Sequence, residues 1–204
     1  RGRDRGKALG DKEFEQFSEL LRELTLGRRS IADAMAFALD HADAAHEVAD
    51  LLRDSLLVPE TAVPAKIARL YLLSDVLHNS STPVRGAARY RNHLQAALPE
   101  IFEGLGETLR GVEGRLTSRQ MRERVVGLLG VWEQWSLYPP LFLAGLEATF
   151  LRQPDQVEAV DVGEVNADDL DRDMLARRAR IAGLVTEGLS AMELLRRLTH
   201  LNAF

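Results

Sequence analysis

Residues 66–81, KIARLYLLSDVLHNSS, constrain the fold more than any other stretch of the chain. Read with helical periodicity, Ile67, Leu70, Leu72, Leu73, Val76 and Leu77 cover most of the circumference, so a helix here must be surrounded by other elements. One polar stripe interrupts the apolar surface. Tyr71, Ser74, Asp75, His78 and Asn79 recur at i, i+3, i+4, i+7 and i+8, which places them on one face. Taken alone, Asp75 and Asn79 suit two readings equally: satisfying buried amides or ending the helix on the one hand, and meeting a ligand on the other.

The surroundings of that helix are expected to be helical too. Ala, Leu, Glu and Arg dominate, and no segment sustains the alternation of a strand. A first helix is expected near 11–26, with Phe14, Phe17, Leu20, Leu21 and Leu24 on one side and Gly27 as its stop. Ser30 reads as the N-cap of a second helix at 31–40, with Asp33 as a capping-box variant. A third covers 42–56, and Pro64 opens the fourth. Pro83 and Pro99 open two more, at 84–97 and 99–111. Another follows Thr117 and Ser118 and ends at the Tyr-Pro-Pro break, and a last one covers 141–151.

Residues 154–173 hold eight acidic residues and one arginine with few large apolar groups, a linker signature. The expected organisation is therefore an N-terminal linker at 1–10, a helical domain at 11–151, an acidic linker at 152–169 and a short helical hairpin at 170–204. The chain starts at Arg1 and reads as a piece of a longer protein.

Several functional classes fit poorly. A formal net charge of −5 supplies no global field for nucleic acid, so any such contact needs a local patch. The absence of cysteine excludes disulfides and thiolate zinc sites and fits an intracellular protein. No run approaches the ~18 apolar residues of a membrane span. His41 and His46 are five apart, which a helix does not bring to one face, and His78, His93 and His200 form no motif with them. All five read as solvated surface histidines. The glycines of GLGETLRGVEG lack a strand–turn–helix context for phosphate, and no nucleophile elbow is present. A non-enzymatic binding module without cofactor or metal is expected.

Three blocks carry a resemblance over about residues 11–151: ALDHADAAHEVADLL, LYLLSDVLHNSS and the double-tryptophan WEQWSLYP. In that order they resemble the CTD-interacting domain (CID), which reads the heptad-repeat tail of the largest subunit of RNA polymerase II. More narrowly, they are similar to the domain in SR-related, snRNP-associated splicing factors that also carry RRM and SURP motifs. The resemblance implies about eight helices in a right-handed superhelix related to VHS and ENTH domains. Its second, fourth and seventh helices would form a groove for an extended peptide. It further implies that Asp75 and Asn79 hydrogen-bond the peptide, with Tyr71 and His78 on the same wall. Arg28, Arg29 and the amides after Ser30 would hold a phosphate.

Three residues after Trp132, where several relatives carry arginine, this chain has Trp135. Residue by residue, simpler roles compete. Arg28 and Arg29 sit in a connecting turn, where charges are usually solvated, and Trp132 and Tyr71 suit core packing. The implied setting is nuclear, with polymerase tail and spliceosomal proteins as partners. The alternatives are a spliceosomal scaffold without tail reading, or RNA binding through the C-terminus. There MLARRARIAGLVTEGLSAMELLRRL resembles a SAP motif, although its usual lysine is missing and Leu198 falls one residue late. Arg177, Arg178 and Arg180 either meet phosphates or are plain helix surface.

Overall fold

The computed structural model describes residues 7–81 and 83–153. Among them the fold is all-helical, with α1 (Asp11–Arg22), α2 (Arg28–Asp40), a 3-10 turn (Ala42–Ala44), α3 (Ala45–Leu57), α4 (Val63–Asn79), α5 (Ala88–Gly111), α6 (Arg115–Gln134) and α7 (Pro140–Leu151). The expected hairpin and SAP-like element, with Arg177, Arg178, Arg180 and His200, lie outside the described residues.

The helices alternate between two layers. α2, α4 and α6 pack side by side, and α1, α3, α5 and α7 form the other layer. α4 touches α2, α3, α5 and α6, which is why its apolar residues run almost all the way round. Ile67, Leu70, Leu72, Leu73, Val76 and Leu77 are all buried.

The central helix also buries two cations. Lys66 and Arg69 are only 1% and 8% exposed. Lys66 Nζ donates to Leu56 O at 2.8 Å, and Arg69 donates through Nε to Leu21 O at 3.1 Å, through Nη1 to Thr61 Oγ1 at 3.2 Å and to Ser55 O. Leu21, Ser55 and Leu56 lie in the last turns of α1 and α3, where helix carbonyls lack intrahelical donors and the macrodipole is negative. Two side chains of α4 thus cap two helices of the other layer. Burial lowers the pKa of both groups, as expected for a cation taken out of water.

Several helix boundaries differ from the sequence expectation. α1 stops at Arg22, and Gly27 is the N-cap of α2 rather than the stop of α1. Ser30 lies inside the first turn of α2, where its Oγ accepts the Thr25 N–H at 3.1 Å. Asp33 pairs with Arg29 at 4.0 Å in place of forming a capping box. Pro83 precedes a turn, and α5 begins at Ala88. Gly86 in that turn has φ +89°, and a Cβ there would stand 2.6 Å from Ala42 O, so only glycine fits.

Pro99 sits inside α5 rather than starting a helix. Its missing N–H and ring oppose a continuous helix. Burial of Leu94, Leu98, Ile101, Phe102 and Leu105 on both sides of it outweighs that cost. Two expected helices are thereby one, and the tryptophan helix is the sixth among the described residues. Phe14, expected in the core, is 41% exposed, whereas Phe17 and Leu21 fill the interface of α1.

Candidate peptide-binding groove

The polar stripe of α4 divides in the folded chain. Ser74 is buried, and its Oγ accepts the Trp132 Nε1–H at 3.0 Å, a structural bond between α4 and α6. Trp132 itself is fully buried, with Phe102 and Tyr138 edge-on at 6.1 and 6.3 Å. The rest of the stripe reaches the surface. Tyr71, Asp75 and Asn79 are half-buried and His78 is exposed.

Each flank of the opening is held by one contact. On the α2 side, Asn79 Nδ2 lies 3.2 Å from Met35 Sδ and donates to Asp75 O at 2.8 Å. On the α6 side, the His78 and Trp135 rings meet at 4.1 Å with a 44° tilt, and Trp135 remains 42% exposed. Asp75 lies between these flanks. Burial raises its pKa, and the proximity of His78 opposes that rise. No hydrogen-bond donor among the described residues reaches its carboxylate. A desolvated carboxylate without a protein donor is an acceptor waiting for a partner.

Trp135 is presented by the end of its helix. Leu137 N–H donates to Trp132 O and Ser136 N–H to Glu133 O, both at 2.9 Å. These are the paired bonds of a Schellman stop, with Ser136 at φ +51° where glycine is usual. Leu137 is buried, so the chain turns sharply and leaves Trp135 beside His78.

The other proposed contacts stand apart from this cluster. Arg28 and Arg29 open α2, a rise of ~10 Å along the helix from Met35. Both are exposed, and the Arg29–Asp33 pair, with side chains 96% and 65% exposed, holds Arg29 only weakly. Gly27 has no side chain to cap the first amides of α2. Ser30 Oγ is engaged by Thr25, so any anion contact there falls to backbone N–H groups and the two arginines.

The histidines are less uniform than expected. His41 is half-buried, with Nδ1 2.8 Å from Phe37 O and its ring stacked on Phe37 at 4.0 Å. His93 is half-buried against His46 at 5.0 Å, and burial lowers its pKa. His46 and His78 are exposed. Met35 was missed in the sequence, because nothing in the α2 pattern marks which residue will face Asn79. The His78–Trp135 contact was equally hidden. The exposed position of Trp135 had one signal, its three-residue offset from a core tryptophan.

Two alternating layers of helices, with a half-buried acceptor on the central helix between two partly exposed flanks, define an all-helical domain whose candidate site lies at the surface. Comparison with known families gives the particular one: residues 15–146 match the model of the CID domain, well over half of the chain, and the chain belongs to that family. Its members typically bind the C-terminal tail of RNA polymerase II. Among curated proteins, the chain is 46% identical over 146 residues to Protein RRC1 of Arabidopsis thaliana, and 46% identical over 146 residues to Protein RRC1-like of the same plant. Each match covers 72% of this chain and 15% of the relative, so the chain spans about a seventh of their length.

Proposed function

We propose that this chain binds the phosphorylated heptad-repeat tail of RNA polymerase II and so couples transcription to pre-mRNA splicing in the nucleus, as a non-enzymatic module of an SR-related splicing factor. The Asp75 carboxylate carries the reading. It is half-buried and has no donor among the described residues, so an extended peptide supplies the missing hydrogen bond from a backbone N–H or a tyrosine hydroxyl. Asn79 and Tyr71 flank it, and Arg28 and Arg29 at the start of α2 meet a phosphate. Family membership supports the choice of peptide.

Fluorescence anisotropy with labelled two-repeat tail peptides tests this, comparing unmodified, second-serine, fifth-serine and doubly phosphorylated forms. Saturable binding that strengthens with phosphate and weakens on Asp75→Ala is expected. Binding of none of the four forms overturns the reading.

A second reading has one observation in its favour. The resemblance implies an arginine at the place Trp135 occupies, and a domain without that cation is suited to hold a spliceosomal protein irrespective of phosphate. Equal affinity for all four peptides, with a splicing factor retained in pull-downs, favours it. RNA binding through Arg177, Arg178 and Arg180 is a separate proposal, tested by a salt-sensitive RNA shift that is lost when the chain is cut before residue 155.

A further inference from the structure

The groove is electrostatically polarised. Leu26, Val63, Pro64, Thr117 and Arg124 line one pocket, so the starts of α4 and α6 and the entry to α2 share one end. At the other end Met35 meets Asn79 and Trp135 meets His78, with the Ser74–Trp132 bond between. α2, α4 and α6 therefore run roughly parallel. Their macrodipoles add, each worth about half a positive charge at the start and half a negative charge at the finish. Arg28, Arg29 and Arg124 lie toward the positive end.

The negative end carries Asp75, the last carbonyls of α4 and α6, and two exposed rings. A phosphate placed there meets Asp75 and the closing carbonyls of α4 and α6, while Arg91, the cation nearest that end, is already taken up by Leu137 O and lies over the Tyr138 ring. An uncharged ring meets instead an indole held by the Schellman stop and braced by the His78 imidazole. Aromatic faces pair with ring edges, and an indole that is 42% exposed leaves area to cover.

Taking the peptide-binding reading as its basis, we infer that Trp135 and His78 form a shelf for an uncharged ring of the bound peptide, a proline or tyrosine, and that this end of the groove disfavours a phosphate. The side chain at position 135 sets which end of the peptide carries phosphate. Phosphate belongs to the α2 entry, and the ring belongs to the exit of α6.

The chain has two tryptophans, and Trp132 is fully buried, so emission changes on peptide binding report Trp135. Unmodified two-repeat tail peptide is titrated against the wild-type chain and Trp135→Ala, with each proline and tyrosine of the peptide replaced in turn by alanine. Trp135→Ala weakens the unmodified peptide roughly tenfold and abolishes the emission change. One ring replacement weakens wild-type binding by a similar factor and costs nothing further in Trp135→Ala, the mark of a direct pair. In Trp135→Arg, phosphate on a serine beside that ring strengthens binding roughly tenfold, whereas in the wild-type chain it weakens it.

Tight wild-type binding with an unchanged Trp135→Ala affinity, or with no coupled ring, overturns the shelf and leaves the peptide reading intact. Failure of the wild-type chain to bind any tail peptide overturns both. Trp135 is at the surface, and a melting curve for each variant separates lost binding from lost folding.

Discussion

The indole of Trp132 on α6 donates to the Ser74 hydroxyl on α4 at 3.0 Å, and both side chains are buried. This bond fixes the register of two parallel helices whose next turns carry His78 and Trp135. The opening beside Asp75 therefore depends on a hydrogen bond that faces away from it. Ser74→Ala leaves a buried indole N–H without its acceptor and should cost about 1–3 kcal/mol in urea unfolding. The same variant should alter the Trp135 emission of the unliganded chain, because the His78 contact loses its register.

Burial of the Asp75 charge should make the free domain less stable than a neutral side chain would. Burial raises its pKa above the ordinary carboxylate value, so the folded chain holds the proton more tightly than the unfolded one. Stability from this group is present below the unfolded value and is lost as pH rises through the folded value. Asp75→Asn should be at least as stable as wild type near neutrality, with a flatter dependence of melting temperature on pH just above the ordinary carboxylate range. Its affinity for the tail peptide should fall by about 1–3 kcal/mol, because an amide replaces a charged acceptor. A variant that melts higher yet binds less tightly is the expected pair of results.

The two buried cations of α4 should differ in worth. Arg69 serves three acceptors on separate segments, and Lys66 serves one carbonyl. Arg69→Met should cost about 3 kcal/mol and Lys66→Met about 1 kcal/mol, since the methionine also relieves the burial of charge. Denaturant midpoints for the two variants check the order, and equal losses would contradict the capping role.

Ser136 carries the left-handed backbone at the end of α6. Ser136→Gly should stabilise the domain by about 1 kcal/mol, because glycine accepts that conformation without a Cβ penalty. Thermal melts measure the gain. Peptide affinity should be unchanged, since the stop that presents Trp135 keeps both of its hydrogen bonds.

Helix existence was largely legible in the sequence, because 3.6-residue periodicity is a local property that survives in any tertiary setting. Helix limits were less so. Ser30 and Pro99 carry strong local signals for a helix start. At both positions the chain follows packing: α2 begins early at Arg28, with Gly27 as its N-cap, and α5 runs through Pro99 because apolar residues on either side share one buried face. Lys66 and Arg69 were hidden for the opposite reason. Charged residues near a helix start read as surface, and only the neighbouring helix ends make them buried caps.

From the sequence alone came the all-helical class, the central place of α4 and the polar stripe from Tyr71 to Asn79. The first follows from composition and local periodicity along the chain, and the other two from spacing along a single helix. The tertiary structure decided which stripe residues face inward. Ser74 goes to Trp132, Asn79 to Met35, His78 to Trp135, and Asp75 keeps no donor among the described residues. Periodicity assigns a side chain to a face of its helix. What that face meets depends on how three helices lie beside one another, and those contacts join residues tens of positions apart in the chain.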